Sequence, residues 1–559
     1  MPAPDPLAPL LELLRRHFGY RELRPLQARV VGAMEAGHDV LAVLPTGAGK
    51  TVCFQLPAML RPAPTVVVSP LISLMQDQVA AAMARGLPAA TLNSALDAPA
   101  QQEVLDRLGC GAVRLLYVSP ERLGRLASEL EERGVRPALL AVDEAHCISD
   151  WGADFRPAYR TLRRLRARLG WPQAIALTGS ATPAVRQEIV RGLGLGGARG
   201  LHQVLGSFDR RNLWFGVARV RDERARYQAL LEALRLQDAL ALVYAPTRNL
   251  TEELARVLRE AGFRAAAYHA GLEPKVRKEV LQRFLADELG VVAATSAFGM
   301  GIDKPNVRLV VHWTLPPTPE AYYQEAGRAG RDGASARCLL LYRPGDANIS
   351  RRQLDVTFPG ATLAARFWRG QLDPARIPAG VRASLERLRR ELRPDRGPVD
   401  WSAVRRRRLS AEARIDVVER YARDRRCRRS ALLGYFGERV IRCAGCDVCS
   451  RRAPRPLPRP EAEARLTRLR GALAHLLAPW GGCPLEPGTL RRLADDPPES
   501  EAALAAVDGV GTVIAKRYSR TILRALGATG SVPAGQNGER LSPPGTTPED
   551  SVRRRGENR

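Results

Sequence analysis

The sequence predicts an α/β protein: two doubly wound, parallel-sheet domains in tandem, followed by smaller helical units. Three observations carry this. The chain has 559 residues, whereas a single hydrophobic core stops growing at about 250–300, so several cores are required. Through roughly the first 340 residues, short apolar runs alternate with helix-length segments, as parallel strands covered on both faces do. Beyond Arg343 the alternation stops, and arginine and proline take over.

The expected strands of the first domain, residues 1–205, are Asp39–Leu44, Thr65–Ser69, Val113–Ser119, Ala138–Val142 and Ala174–Thr178. Those of the second, residues 206–342, are Leu240–Ala245, Ala265–His269, Val291–Thr295, Arg308–Trp313 and Cys338–Tyr342. Residues 343–409 read as a basic helical insertion of unassigned role, and 410–450 hold a cysteine cluster. A Pro/Arg linker, 451–462, follows. Leu466, Leu469, Leu473, Leu476 and Leu477 then recur at helical spacing and open a small all-α domain over 463–527. The tail, 528–559, is poor in apolar residues and is expected to be disordered. There is no internal repeat.

The composition is globular, 45% hydrophobic and 26% charged, with no apolar run long enough to span a bilayer. Met1–Tyr20 makes a poor secretory signal. A membrane protein and a secreted disulfide scaffold are thereby excluded, and a cytoplasmic location is expected. The net charge is +27, and 81 of the 86 basic residues are arginine. A GC-rich genome accounts for arginine replacing lysine but not for the surplus over acids, which fits a polyanionic partner. Residues 401–460 alone carry 17 Arg against 6 Asp or Glu. Of nine cysteines, Cys427, Cys443, Cys446 and Cys449 fall within 23 positions, and in a reducing compartment such a quartet reads as a metal site.

The first expected strand runs into Pro45-Thr46-Gly47-Ala48-Gly49-Lys50-Thr51 and a helix-compatible stretch. This is a P-loop. Thr46, Gly47 and Gly49 shape a backbone cradle for phosphates, Lys50 neutralises β/γ charge, and the Thr51 hydroxyl binds Mg²⁺. Leu44 stands where the full pattern has glycine. A later strand ends in Asp143-Glu144-Ala145-His146, a DEAH box. Asp143 is placed to hold Mg²⁺ through water, and Glu144 to orient and deprotonate the attacking water. In the second domain, Gln324-Glu325-Ala326-Gly327-Arg328-Ala329-Gly330-Arg331 offers two arginine fingers, Arg328 and Arg331, to stabilise the γ-phosphoryl across a cleft. Hydrolysis is then coupled to domain closure.

These motifs, in this order, resemble the RecQ family of superfamily 2 ATP-dependent DNA helicases, nearly continuously from residue 17 to 343. The resemblance implies two RecA-like domains. Phe18-Gly19-Tyr20-Arg21-Glu22-Leu23-Arg24-Pro25-Leu26-Gln27 is similar to the family's adenine-reading segment. It implies that Tyr20 and Arg24 sandwich the base and Gln27 bonds its edge, while Gln324 joins the nucleotide site. Ser69 and Pro70 head a stretch similar to a strand-contacting motif. Trp151, Phe155 and Arg156 lie in a stretch resembling the aromatic-rich loop that separates RecQ proteins from RNA helicases, with the aromatics stacking on bases. Thr247, Arg248, His269 and Thr295 fall in motifs that in the family meet the DNA backbone. His269 by itself reads more often as a core histidine.

Cys427-x15-Cys443-x2-Cys446-x2-Cys449 resembles the family's zinc-binding subdomain, a closed structural Zn²⁺ site, with an iron–sulfur cluster as the rival. The helical domain around Val507-Asp508-Gly509-Val510-Gly511 resembles an HRDC module, an accessory binder of DNA or protein. The family's winged helix is missing between the two. Asp150, Ala153 and Ser180 also replace the usual Gln, His and Thr. The expected activity is ATP-driven 3′→5′ translocation on single-stranded DNA and unwinding of forked duplexes in repair or recombination, with ATP, Mg²⁺ and Zn²⁺ as cofactors. Single-strand-binding or repair proteins are expected partners, membranes are not, and the oligomeric state stays open. The alternatives are a DNA-stimulated translocase or annealing protein that unwinds weakly, and a non-catalytic DNA-binding scaffold.

Overall fold

The computed structural model describes residues 7–527 apart from 46, 94–95, 150–156, 238–239, 300–303, 395–396, 398, 451–459 and 478–484. Thr46, Trp151, Phe155 and Arg156, with most of the Pro/Arg linker and the whole tail, therefore lie outside the described residues.

Lobe 1 is a seven-stranded sheet of β1 Asp39–Val43, β2 Thr65–Val68, β3 Ala89–Leu92, β4 Leu115–Val118, β5 Leu139–Val142, β6 Gln173–Thr178 and β7 Leu201–Leu205. Its order is β3-β4-β2-β5-β6-β1-β7. Lobe 2 is a six-stranded sheet of β8 Leu213–Arg219, β9 Ala241–Tyr244, β10 Ala265–Tyr268, β11 Val291–Ala294, β12 Leu309–His312 and β13 Ala336–Tyr342, in the order β10-β11-β9-β12-β13-β8. Every strand pair is parallel. The central strands β1, β2, β5, β6, β9, β11 and β12 are buried along their whole length, which is why they read as unbroken apolar runs.

All ten expected strands are present. The three the sequence reading passed over, β3, β7 and β8, are sheet edges. An edge strand is paired on one side only and tolerates shorter or more polar sequence. In β7, His202 and Gln203 are exposed.

Lobe 2 leads into helices Ala347–Thr357, Ala361–Trp368, Ala379–Leu392, Ser402–Arg423 and Arg428–Tyr435. The long helix Ser402–Arg423 runs straight through the expected division at 409/410, so the basic insertion and the cysteine unit share one element. Arg351–Asp416 at 2.8 Å and Arg408–Asp355 at 2.6 Å staple the first helix to it. A separate C-terminal unit packs helices Pro460–Leu477, Pro487–Asp495, Glu501–Ala506 and Gly511–Leu526 around Leu466, Leu469, Leu493, Ile514 and Ile522. No helix among the described residues is long and apolar enough to cross a membrane.

Candidate nucleotide site, nucleic-acid face and metal centre

β1 is central in lobe 1 and delivers its C-terminal end to the loop preceding helix Val52–Leu60. Parallel sheets place ligands at that end. Gly47 (φ 86°) and Gly49 (φ 73°) adopt the left-handed backbone that turns peptide N–H groups toward one point. Gln27 props this loop from below: its Nε2 donates to the carbonyls of Ala48 (3.0 Å) and Gly49 (3.2 Å). Arg24 Nη1 donates to the Gly47 carbonyl at 2.7 Å. The expected base-reading residues thus also shape the phosphate loop.

β5 lies two strands from β1 and ends beside this loop in Asp143 and Glu144. Lys50 Nζ is 3.6 Å from Glu144 Oε1, and His146 Nδ1 is 3.2 Å from Glu144 Oε2. Glu144 sits at φ 45°, an uncommon conformation for a residue with a Cβ that marks a position fixed by its surroundings. Burial pushes its carboxyl up, but Lys50 and His146 outweigh burial and hold it down at about 2. Asp143 is pushed up by burial and then by the Glu144 charge, although it accepts from Gln78 Nε2 at 3.0 Å. The buried Asp143 carboxylate and the Thr51 hydroxyl of the phosphate loop are oxygen donors of the kind a hard divalent cation takes.

From lobe 2, Gln324 Nε2 donates to Ser180 Oγ of lobe 1 at 3.0 Å. This brings the end of helix Pro319–Ala326 to the cleft. Arg328, just beyond it, donates to the Gly299 carbonyl of its own lobe.

The expected nucleic-acid residues divide. Thr247 and Arg248 are exposed and Thr295 is half-buried. Thr247 and Thr295 follow the adjacent strands β9 and β11, and Thr247 caps helix Arg248–Glu260 by accepting from Leu250 N. Ser69, Pro70 and His269 are buried. Ser69 and Pro70 sit at the end of β2, walled in by β4 and β5, and His269 is turned onto Glu252 at 2.9 Å. The loop 150–156 lies outside the described residues; of the residues that flank it, Ser149 donates to Glu188 on helix Pro183–Leu193, and the Tyr159 hydroxyl donates to the Asp143 carbonyl at the end of β5 at 3.3 Å. Sequence reasoning missed Tyr159, because nothing in its local pattern announces that contact.

The sulfurs of Cys427, Cys443, Cys446 and Cys449 all lie within 4.8 Å of one another. A tetrahedral Zn²⁺ with Zn–S bonds of about 2.3 Å sets its sulfurs about 3.8 Å apart, so the donor set fits the ion. Backbone N–H groups from Cys449, Arg428 and Val448 overcome the upward push of burial on Cys446 and leave its thiol at about 7. The helix and loop that carry these cysteines grip the connector between the lobes and the start of β8. Asp447 N donates to Phe215 O at 2.9 Å, Phe436 stacks on Phe208 at 4.6 Å, and buried Arg429 pairs with Asp209.

The C-terminal unit reaches the base-reading segment. Glu486 lies 2.6 Å from Arg24 Nη2, and Gly509 N donates to Gly19 O at 2.8 Å.

Known proteins place this arrangement. A DEAD/DEAH box helicase family model matches residues 24–189, a helicase conserved C-terminal domain matches 225–333, and a RecQ zinc-binding model matches 386–450. The chain is 37% identical to an ATP-dependent DNA helicase RecQ of Synechocystis over 476 residues, covering 79% of this chain and 98% of that one. It is 37% identical to the RecQ helicase of Haemophilus influenzae, covering 78% of this chain and 63% of the relative, and 42% identical to that of Bacillus subtilis, covering 61% and 57%. The chain thus spans about three fifths of the length of these last two. The crystal structure of the DUF1998 helicase MrfA bound to DNA and AMPPNP is similar in fold, with a TM-score of 0.50 at 19% identity over 63% of this chain and 53% of that one.

Proposed function

The chain belongs to the RecQ family, and from that membership we propose that it hydrolyses ATP to translocate 3′→5′ on single-stranded DNA and to open forked duplexes. The observation that carries this reading is the convergence on one cleft of Lys50, Glu144 and Asp143 from lobe 1 with the Gln324 segment of lobe 2. Lys50 meets the β/γ-phosphates, and Glu144, held ionised by Lys50 and His146, takes the proton of the attacking water. Thr51 and Asp143 would hold Mg²⁺ with the nucleotide, and the ion supplies charge neutralisation on the phosphates. Arg328 and Arg331 reach the γ-phosphoryl on closure. Trp151, Phe155 and Arg156 take the single strand. Tyr159, three residues past Arg156 in sequence, hydrogen-bonds the Asp143 carbonyl, which would give strand binding and water activation one support.

The duplex ahead of the fork needs a surface that the missing winged helix does not supply. The helices Ala361–Trp368 and Ala379–Leu392 present exposed Arg366, Arg369, Arg389, Arg390 and Arg393. Glu391 between them pairs with Arg407 at 2.7 Å and stands 3.9 Å from Arg160, four residues past the strand-contacting loop. A basic surface that meets Arg160 fits duplex backbone. The C-terminal unit is proposed to be HRDC-like. The experiment is strand separation on a forked duplex with a 3′ tail, run beside DNA-stimulated ATPase. ATPase without unwinding would favour the translocase alternative, and equal ATPase with and without DNA would defeat the motor reading.

A further inference from the structure

The contact between the C-terminal unit and lobe 1 falls on the residues expected to hold the base. Glu486 accepts from Arg24 Nη2 at 2.6 Å, and its charge also bears on the neighbouring Tyr20 hydroxyl. It therefore acts on both side chains that would flank the adenine. A Cβ added to Gly49 of the phosphate loop would stand 3.4 Å from Glu486 Oε1, so this carboxylate sits where an incoming triphosphate is least tolerant of negative charge.

The fit is built by backbone as well as by charge. A Cβ on Gly19 would come within 2.0 Å of Gly511 N, and one on Gly509 within 2.9 Å of the Tyr20 ring. Gly19, Gly509 and Gly511 all have positive φ, so two chain segments about 490 residues apart approach as only glycines allow. Tyr20 is left 8% exposed. The unit is anchored at its other end to lobe 2, where Thr467 and Arg470 each lie 3.3 Å from Asp287. It thus spans the cleft from the base side.

We propose that the C-terminal unit is an internal competitor for the nucleotide: Glu486 ties Tyr20 and Arg24 into a contact that ATP must displace, and release of the unit frees both lobes to close. This rests on the reading of Tyr20 and Arg24 as the base slot. The Arg24–Glu486 pair is partly exposed, at 46% and 22% of the two side chains, so its displacement is within reach of an ordinary ligand's binding energy.

The test measures the KM for ATP and for GTP at saturating single-stranded DNA, on the full chain and on Glu486→Gln and Thr467→Glu. Glu486→Gln is isosteric. Thr467→Glu sets a carboxylate against Asp287 at the far anchor, away from the slot. Both variants are expected to lower the KM for ATP, by about 3–10-fold for Glu486→Gln. An unchanged or raised KM in Glu486→Gln, with ATP still strongly preferred over GTP, overturns the competitor proposal alone. Loss of the ATP-over-GTP preference in the wild type means that the slot does not read the base, and defeats the underlying reading instead.

Discussion

The Lys50 ammonium rests 3.6 Å from a carboxylate oxygen of Glu144, so the cation proposed to meet phosphate and the base proposed to meet water form one ion pair. On that reading nucleotide phosphates would compete for Lys50, and their arrival would leave Glu144 oriented by His146 alone. Lys50→Ala is expected to lower kcat for ATP by about 10²–10³-fold, and Glu144→Gln by about 10²–10⁴-fold. The double variant should be little worse than the poorer single one, since the two act as a unit. Fully additive losses in steady-state ATPase would contradict that.

Trp151→Ala tests the proposed coupling of strand binding to hydrolysis. Basal hydrolysis is expected to persist while stimulation by single-stranded DNA drops by about 10-fold, in line with one lost base stack of 1–3 kcal/mol. Unchanged stimulation would remove Trp151 from the strand path.

Replacing Arg366, Arg369 and Arg393 together by glutamate should weaken forked-duplex binding and flatten its salt dependence. The slope of log K against log salt is expected to fall by about 2–3, near 0.9 for each phosphate contact removed. ATPase stimulated by a short single strand should stay at the wild-type level. A slope that does not change would show the basic helices to be merely solvated.

Zinc removal should act on the connector rather than on the phosphate loop. The purified chain is expected to be colourless with about one zinc per chain, whereas absorbance near 400 nm would indicate iron–sulfur. Cys446→Ser should lower the Tm by several degrees and slow DNA-stimulated turnover more than it changes the KM for ATP. A variant with wild-type Tm and turnover would show the metal to be dispensable.

Asp77 gives a stability signature in pH. Burial raises its carboxyl from 3.8 to about 7. Between these values the unfolded chain has shed the proton while the folded chain keeps it, so the folded state binds more protons. Stability from this group is present below about pH 4, falls as pH rises toward 7, and stays lost above. Asp77→Asn should remove that slope, raising the Tm relative to wild type more at pH 8 than at pH 5. A gain of equal size at both values would contradict the assignment.

The sequence disclosed what is local and periodic. The buried central strands, the glycine-bracketed Lys50 loop, the Asp143-Glu144 strand end and the cysteine quartet each carry their signature within a few residues. What stayed hidden depends on long-range contact. β3 and β7 are edge strands with weak apolar signal, and β8 lies against the connector to be capped by the zinc loop. The burial of Ser69, Pro70 and His269 follows from neighbouring strands and from Glu252, which no spacing rule reveals. Gln78 lies within the motif of Ser69, yet its bond to Asp143 joins positions 65 apart. Glu486, next to a run of ordinary loop sequence, gains meaning only from Arg24.

The helix and loop that carry the four cysteines are stitched to Phe208 and Asp209 of the connector and to Phe215 of β8, where lobe 2 begins. On the proposed function the lobes would swing about this stretch; a pivot left to a bare polypeptide would have slack, and part of each power stroke would be spent wobbling. By riveting the axle from outside, the cysteine cluster would make that swing a repeatable arc, and step regularity along the strand would depend on a metal that meets neither substrate.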